Sequence, residues 1–199
     1  YATAEIMIRH TEAVKRGIGN SKMIITDMPF LATRKGIIYA LEIAEKIIKA
    51  GADAVKIENI EDQKEVISHL IKSGIPVMGH LGVTPQYIKL LGSYSKKGNK
   101  KPEAKKLILD AIEFEKVGCF AIVLECINKD VAKKITQKIK IPTIGIGSGK
   151  DTDGQVVVIN DILGLFENPP SFIKKYAELE NHIIKAVNDY VEEVYKLWK

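Results

Sequence analysis

Three apolar stretches of this sequence end on a carboxylate: "MIITD" on Asp27, "AVKIE" on Glu58 and "FAIVLE" on Glu125. A fourth, "IPVMGH", ends on His80, and Lys56 precedes Glu58 by two residues, which puts both side chains on one face of a strand. Two carboxylates without a Cys or His cluster suit a hard, oxygen-seeking cation such as Mg²⁺, with positions left for water or a bidentate substrate. Lys56 supplies positive charge for an anionic substrate group or a developing enolate. Glu125, behind an apolar strand that exposes it only at a cavity, suits a general base. His80 can donate a hydrogen bond to substrate or stand as a satisfied structural histidine, whereas His10, His69 and His182 lie on expected helices and read as structural or exposed. One acid at a strand end is often only a helix cap or a loop tie. Several in succession, at the ends of consecutive strands, converge on one mouth.

The elements that must position these residues repeat one pattern: an amphipathic helix, a glycine, a short apolar strand. "RKGIIYALEIAEKIIKAG" runs into "ADAVKIE", "EDQKEVISHLIKSG" into "IPVMGH", and "EAKKLILDAIEFEKVG" into "CFAIVLE". Gly51, Gly74 and Gly118 stand where a helix turns out through positive φ. Apolar strands alternating with helices indicate a parallel sheet covered by helices. The strands are expected at Met23–Asp27, Ala54–Glu58, Pro76–His80, Phe120–Glu125, Thr143–Gly147 and Gln155–Ile159. No Gly-rich dinucleotide fingerprint follows the first, so an open doubly wound nucleotide fold is disfavoured. A (β/α)₈ barrel needs eight strands, two more than are seen. In such folds the active site lies at the carboxyl ends of the strands, where all five residues fall.

The remaining features are quieter. "GIGSGKD" departs from a phosphate-binding loop at both ends and reads as a βα turn. From Ser171 to Lys199 a stripe of Phe172, Tyr176, Leu179, Ile183, Ala186, Tyr190, Val194 and Leu197 predicts one long terminal helix, packed on the barrel or docked on a neighbouring subunit. With 199 residues, 46% hydrophobic, the chain suits one compact domain or an incomplete larger one, and 1–199 reads as a single, incomplete barrel domain. The formal charge of +5 comes from lysine, since only Arg9, Arg16 and Arg34 are arginines, and it gathers in "KKGNKK". Without arginines and aromatics sharing a face, that loop reads as solvated lysines rather than a nucleic-acid surface. No run approaches the ~18 apolar residues of a membrane span. Cys119 and Cys126, at opposite ends of one strand, cannot bridge each other and suit a reducing cytoplasm.

In order along the chain, "TDMPF", "DAVKIE", "GIPVMGHLGVTPQ", "FAIVLEC", "IPTIGIGSG" with "DTDGQVVV", and "DILGL" resemble the ketopantoate hydroxymethyltransferase family, from about Ala2 to Tyr176. The resemblance implies a (β/α)₈ TIM barrel that transfers the one-carbon unit of 5,10-methylenetetrahydrofolate to 2-oxoisovalerate, giving ketopantoate for pantothenate synthesis. It implies that Asp27 and Glu58 belong to a Mg²⁺ site, Asp27 directly and with substrate contact, Glu58 directly or through water. It further implies that Lys56 and His80 bind substrate and that Glu125 accepts the proton as a metal-stabilised enolate forms. The family assembles into decamers, so a cytoplasmic homo-oligomer acting on small molecules, without nucleic acid or membrane, is expected.

The sequence departs from the family in one respect. A further Asp-Ser pair on the family's second strand, binding metal and substrate, has no counterpart here, and the two strands short of eight would be the first two. A longer segment is therefore expected around Tyr1, and the chain as it stands is expected to be inactive or nearly so. Two competing readings use the same residues differently: another Mg²⁺-dependent 2-oxoacid carbon–carbon lyase or aldolase, and a non-catalytic lysine-rich binding barrel.

Overall fold

The structure, a computed structural model, describes residues 2–198. The expectation that rests on Tyr1, and the last residue of the expected terminal helix, Lys199, lie outside the described residues. The chain divides into two compact units between Gln155 and Val156.

The first unit alternates helix and strand. Helix α1 (Ala4–Ile18) leads to β1 (Ile25–Asp27), α2 (Ile37–Lys49) to β2 (Ala54–Glu58), and α3 (Lys64–Lys72) to β3 (Val77–Gly82). A short α4 (Ile88–Leu91) and the long α5 (Lys101–Val117) precede β4 (Ala121–Glu125); α6 (Lys129–Lys138) precedes β5 (Thr143–Ile146) and β6 (Gly154–Gln155). The six strands form one parallel sheet in chain order, with β1 and β6 at its edges. This is the expected α/β architecture, and Gly51, Gly74 and Gly118 leave their helices at positive φ as the sequence requires.

The core lies between the helices and one face of the sheet. Val55 and Ile57 of β2, Val77 and Leu81 of β3, and Ile122 and Leu124 of β4 pack there against Ile43, Ala44 and Ile47 of α2, Ile67 and Leu70 of α3, Ala111 and Phe114 of α5, and Ile135 of α6. The other face carries a thin apolar layer of Met78, Ala121 and Val123, with Ile25, Ile144 and Ile146 partly buried against it. Beyond that layer, at the strand ends, the same face presents Asp27, Lys56, Glu58, His80 and Glu125. At edge strand β1 the outward residue is polar: the Thr11 and Thr26 hydroxyls lie 2.7 Å apart. Thr11 donates to the Met7 carbonyl, so Thr26 is left as donor to Thr11, and α1 is tied to β1.

Two glycines let the sheet approach its neighbours. A Cβ at Gly79 would sit 2.7 Å from the Phe114 ring, and one at Gly82, where φ is 102°, would sit 2.1 Å from the Glu125 carbonyl oxygen. The first admits the fully buried aromatic ring onto β3. The second brings the ends of β3 and β4 together, where the Val83 N–H donates to that same carbonyl.

Four strands shift at their ends by one or two residues from the sequence expectation, with β3 running on past His80 to Gly82, and two elements differ by more. The sixth strand covers Gly154–Gln155 rather than Gln155–Ile159, because β5 ends at Ile146 and offers partners only at Ile144 and Gly145. Val156, Val157 and Val158 are exposed, and a short α7 (Ile159–Ile162) begins at the residue on which the expected strand ends. The terminal helix α8 spans Leu179–Leu197, not Ser171–Lys199. The backbone N–H groups of Tyr176 and Ala177 donate to the Ile162 carbonyl, and those of Leu179 and Glu180 to Leu163 and Gly164. Donors spent outside the segment cannot build the preceding helical turns, so Phe172 and Tyr176 fall before the helix. The stripe that remains on α8 has no buried residue. Among the described residues no helix is long and apolar enough to cross a membrane.

Phe114→Ala should lower the unfolding free energy by about 3–5 kcal/mol in urea denaturation, the cost of emptying a close-packed aromatic site. Gly79→Ala should cost about 1–3 kcal/mol alone. Combined, the two losses should fall short of their sum, since the cavity takes up the added methyl; strict additivity would show that ring and glycine do not press on each other.

Candidate active site

Alternation along each strand and the register between strands build the site together. Asp27 pairs with Lys56 across β1 and β2, Glu58 with His80 across β2 and β3, and Gly82 with Glu125 across β3 and β4. All five expected side chains therefore face one side of the sheet at its carboxyl edge. They line a single cavity of about 250 Å³ with Met7, Met28, Phe30 and Gln86 among its other walls.

The acids that end β2 and β4 are each followed by a residue with positive φ: Asn59 at 59° after Glu58, and Cys126 at 49° after Glu125. The left-handed turn ends the strand directly behind the carboxylate. Both turned residues stay anchored, since the Asn59 N–H donates to the His80 carbonyl and the Cys126 N–H to that of Ile146. Behind them the "GIGSG" segment acts as a turn whose Ser148 hydroxyl donates to the Leu124 carbonyl and accepts from the Ile127 N–H. The two cysteines are free, and burial pushes the Cys119 thiol up to about 12.

His80 is the centre of the constellation. Only 2% of it is exposed, and burial, reinforced by the Lys56 ammonium, holds its pKa below the usual histidine value, so the ring is neutral. Lys56 Nζ lies 3.3 Å from His80 Nδ1. A lysine ammonium can only donate, so Nδ1 accepts and the ring proton sits on Nε2. That nitrogen is 3.1 Å from Glu125 Oε2, close but poorly aligned for a hydrogen bond. The same ammonium is 2.6 Å from Asp27 Oδ1. The result is a continuous row: Asp27, Lys56, His80, Glu125.

Glu58 stands beside the row. Its Oε1 is 3.8 Å from His80 Nδ1, and its Oε2 accepts from the Gln86 backbone N–H at 2.9 Å. Burial raises its pKa to about 7 despite the pull of the Lys56 charge. Asp27 Oδ1 is shielded from water, and apart from the Lys56 ammonium no well-aligned donor among the described residues reaches it. Two oxygen donors of this kind, one short of hydrogen bonds and one desolvated, fit a hard divalent cation. Among the described residues no group of three or more His, Cys, Asp or Glu side chains is placed to hold a metal, and Asp27 and Glu58 are two carboxylates of the cavity that could contribute to one.

Two glutamines escaped the sequence reading. Gln63, almost fully buried, donates from Nε2 to the carbonyls of Glu58 at 2.7 Å and Asn59 at 3.1 Å, and its Oε1 accepts from the Thr33 hydroxyl. Gln86 donates from Nε2 to the Met28 carbonyl at 2.7 Å. Neither sits at a spacing that marks a motif; Gln86 lies within "GHLGVTPQ" but the string alone gives it no partner. His10, His69 and His182 are on helices, and neither His10 nor His69 lines the cavity.

With this geometry in hand, comparison with known proteins is specific. A family model for ketopantoate hydroxymethyltransferase matches residues 1–197. A 3-methyl-2-oxobutanoate hydroxymethyltransferase of Legionella pneumophila (strain Paris) is 47% identical over 198 residues, 98% of this chain and 75% of the relative. The enzyme of that name from Pyrococcus abyssi (strain GE5 / Orsay) is 45% identical over 190 residues, 96% of this chain and 67% of the relative. Among solved structures, phosphoenolpyruvate phosphomutase from Streptomyces platensis subsp. rosaceus aligns with a TM-score of 0.57 at 12% identity, covering 100% of this chain and 69% of its own, a likeness of fold alone. The match along the chain, with identity near one half to enzymes of a single name, shows that this chain belongs to the ketopantoate hydroxymethyltransferase family.

Proposed function

We propose that this chain transfers the one-carbon unit of 5,10-methylenetetrahydrofolate to 3-methyl-2-oxobutanoate (2-oxoisovalerate), forming ketopantoate, at the cavity that holds Asp27, Lys56, Glu58, His80 and Glu125. The observation that carries the reading is the row from Lys56 through neutral His80 to Glu125, set beside two carboxylates in a chain of this family. The named relatives are hydroxymethyltransferases, which favours transfer over the lyase alternative.

Asp27 and Glu58 would hold the cation, taken as Mg²⁺. Bound there, it would draw electron density from the keto oxygen and acidify the neighbouring C–H. Lys56, only 18% exposed at its side chain, offers its ammonium to the substrate carboxylate or keto oxygen from within the same wall. Glu125, 19% exposed, takes the proton from the carbon beside the ketone. His80 donates its Nε2 proton toward Glu125 or toward substrate; being neutral, it orients the base without adding a second positive charge to that of Lys56. The carbon so activated forms the new C–C bond to the folate methylene carbon, whose two C–N bonds break to release tetrahydrofolate while water supplies the hydroxyl of the product.

The wider reading has separate support. The two free edges of the sheet suit completion into a (β/α)₈ barrel, with 1–199 as part of that single domain. The apolar stripe of α8, without a buried residue, supports a homo-oligomer. Two free cysteines suit a reducing compartment, the cytoplasm.

In D₂O with Mg²⁺ and no folate, the full-length gene product should erase the methine proton signal of 2-oxoisovalerate in the NMR spectrum. EDTA should stop the exchange, and Glu125→Gln should slow it by at least about 100-fold, the usual range for losing a general base. Exchange at the parent rate in the variant would remove Glu125 from that role.

Stability of the metal-free protein tests the state of Glu58. Its pKa of about 7 when folded exceeds the ordinary 4.5, so the folded state keeps a proton that the unfolded chain gives up. Its stabilising contribution is therefore full below the ordinary value and is lost as pH rises to about 7, by up to roughly 3 kcal/mol. His80 acts oppositely: its folded pKa is lowered, so stability falls as pH drops below 6.5. Glu58→Gln removes the first effect only. In EDTA, the advantage of the variant over the parent in denaturant unfolding should grow by about that amount between about pH 4 and pH 8. A constant difference would mean Glu58 titrates normally.

A further inference from the structure

We propose that Gln86 is a positioning residue that sets the spacing of the two carboxylates, by joining the strand ends of Asp27 and Glu58 to one loop position. Its two hydrogen bonds leave in different directions. The backbone N–H donates to Glu58 Oε2 at 2.9 Å, and the side-chain amide donates to the Met28 carbonyl at 2.7 Å. Met28 follows Asp27, and its own N–H donates to the Lys56 carbonyl at 2.9 Å. Both sides of the residue behind Asp27 are thereby pinned, one to β2 and one to Gln86.

The consequence for Glu58 is a division of labour between its oxygens. With Oε2 taken by Gln86, Oε1 is the oxygen turned to the cavity, on the side of His80 Nδ1 at 3.8 Å. The loop has other ties of its own. Its turn is closed by the Tyr87 N–H donating to the Thr84 carbonyl at 2.8 Å, and its start is held by Asn59 Nδ2 donating to the Thr84 hydroxyl. Both bonds of Gln86 go instead to the strand ends that bear the acids. A partner that fixes metal-ligand carboxylates from behind typically contributes 10–100-fold to metal affinity.

The assignment rests on Asp27 and Glu58 holding the cation, as proposed above, and the test separates the two. Mn²⁺ binding to the purified protein, measured by electron paramagnetic resonance of the free ion, is compared among the parent, Gln86→Met, Gln86→Ala and Glu58→Gln. Methionine keeps the length of the side chain and the backbone N–H but removes the amide donor. Both Gln86 variants should bind Mn²⁺ about 10–100-fold more weakly, with the parent's thermal unfolding in EDTA. Excess metal should restore most of their kcat. Parent-like Mn²⁺ affinity in both Gln86 variants, with weakened binding in Glu58→Gln, would overturn the positioning role and leave the cation site standing. Absence of Mn²⁺ binding in the parent, or parent-like affinity in Glu58→Gln, would overturn both. If both Gln86 variants unfold in EDTA where the parent is folded, Gln86 is a structural tie and the positioning role is lost.

Discussion

A strand in a sheet with one buried face cannot slip by one residue without exchanging its two faces, and this constraint governs the whole site. On β2, Val55 and Ile57 are locked into the helix-side core, so Lys56 and Glu58 have no choice but the other face. Val77 and Leu81 do the same for His80, and Ile122 and Leu124 for Glu125. The hydrophobic free energy that seats α2, α3, α5 and α6 on the sheet thus also aims the polar residues, through the period of the strand alone. Gly79 is part of this arrangement: without a Cβ there, the Phe114 ring of α5 lies directly on β3.

The electrostatics arise from that enforced crowding. One ammonium, Lys56, is shared between Asp27 and the ring of His80, and the ring reaches Glu125. Burial makes a charged imidazole unfavourable, and the lysine beside it makes it more so. A neutral ring with a defined tautomer results, its donor side facing the acid. Glu58 feels the same desolvation with the opposite sign of effect, and its carboxyl is held up to about 7 in the absence of a cation. The surroundings that make this carboxylate costly to ionise also make it a strong candidate to receive positive charge.

Strands are more legible in this sequence than the turns and helix starts near the end of the chain. Four of the six expected strands are apolar runs that end on a polar residue, because a strand buried on one face announces itself by composition and its carboxyl end by the first residue that cannot be buried. The sixth is shorter than expected because β5 stops offering backbone partners after Gly145, and pairing of this kind leaves no trace in the apolar run "VVV". Likewise the helical period from Phe172 to Leu197 is genuine as a pattern, yet the carbonyls of Ile162, Leu163 and Gly164 capture the N–H groups that its first turns would need. Periodicity reports which side chains could share a face, not where the backbone donors go.

The sequence by itself determined the alternation of helices and strands, the five polar residues at strand ends, and through the motifs they stand in, the family. Each of these depends on local order along the chain: the period of a strand, the glycine behind a helix, the identity of a short string. Only the tertiary structure decided that His80 is buried and neutral with its proton on Nε2, that Glu58 shares its oxygens between Gln86 and the cavity, and that Gln63 and Gln86 brace the site. Those properties arise from contacts between segments up to 58 residues apart, and from the removal of water around charges. Neither distance through space nor desolvation is written in the spacing of residues along the chain.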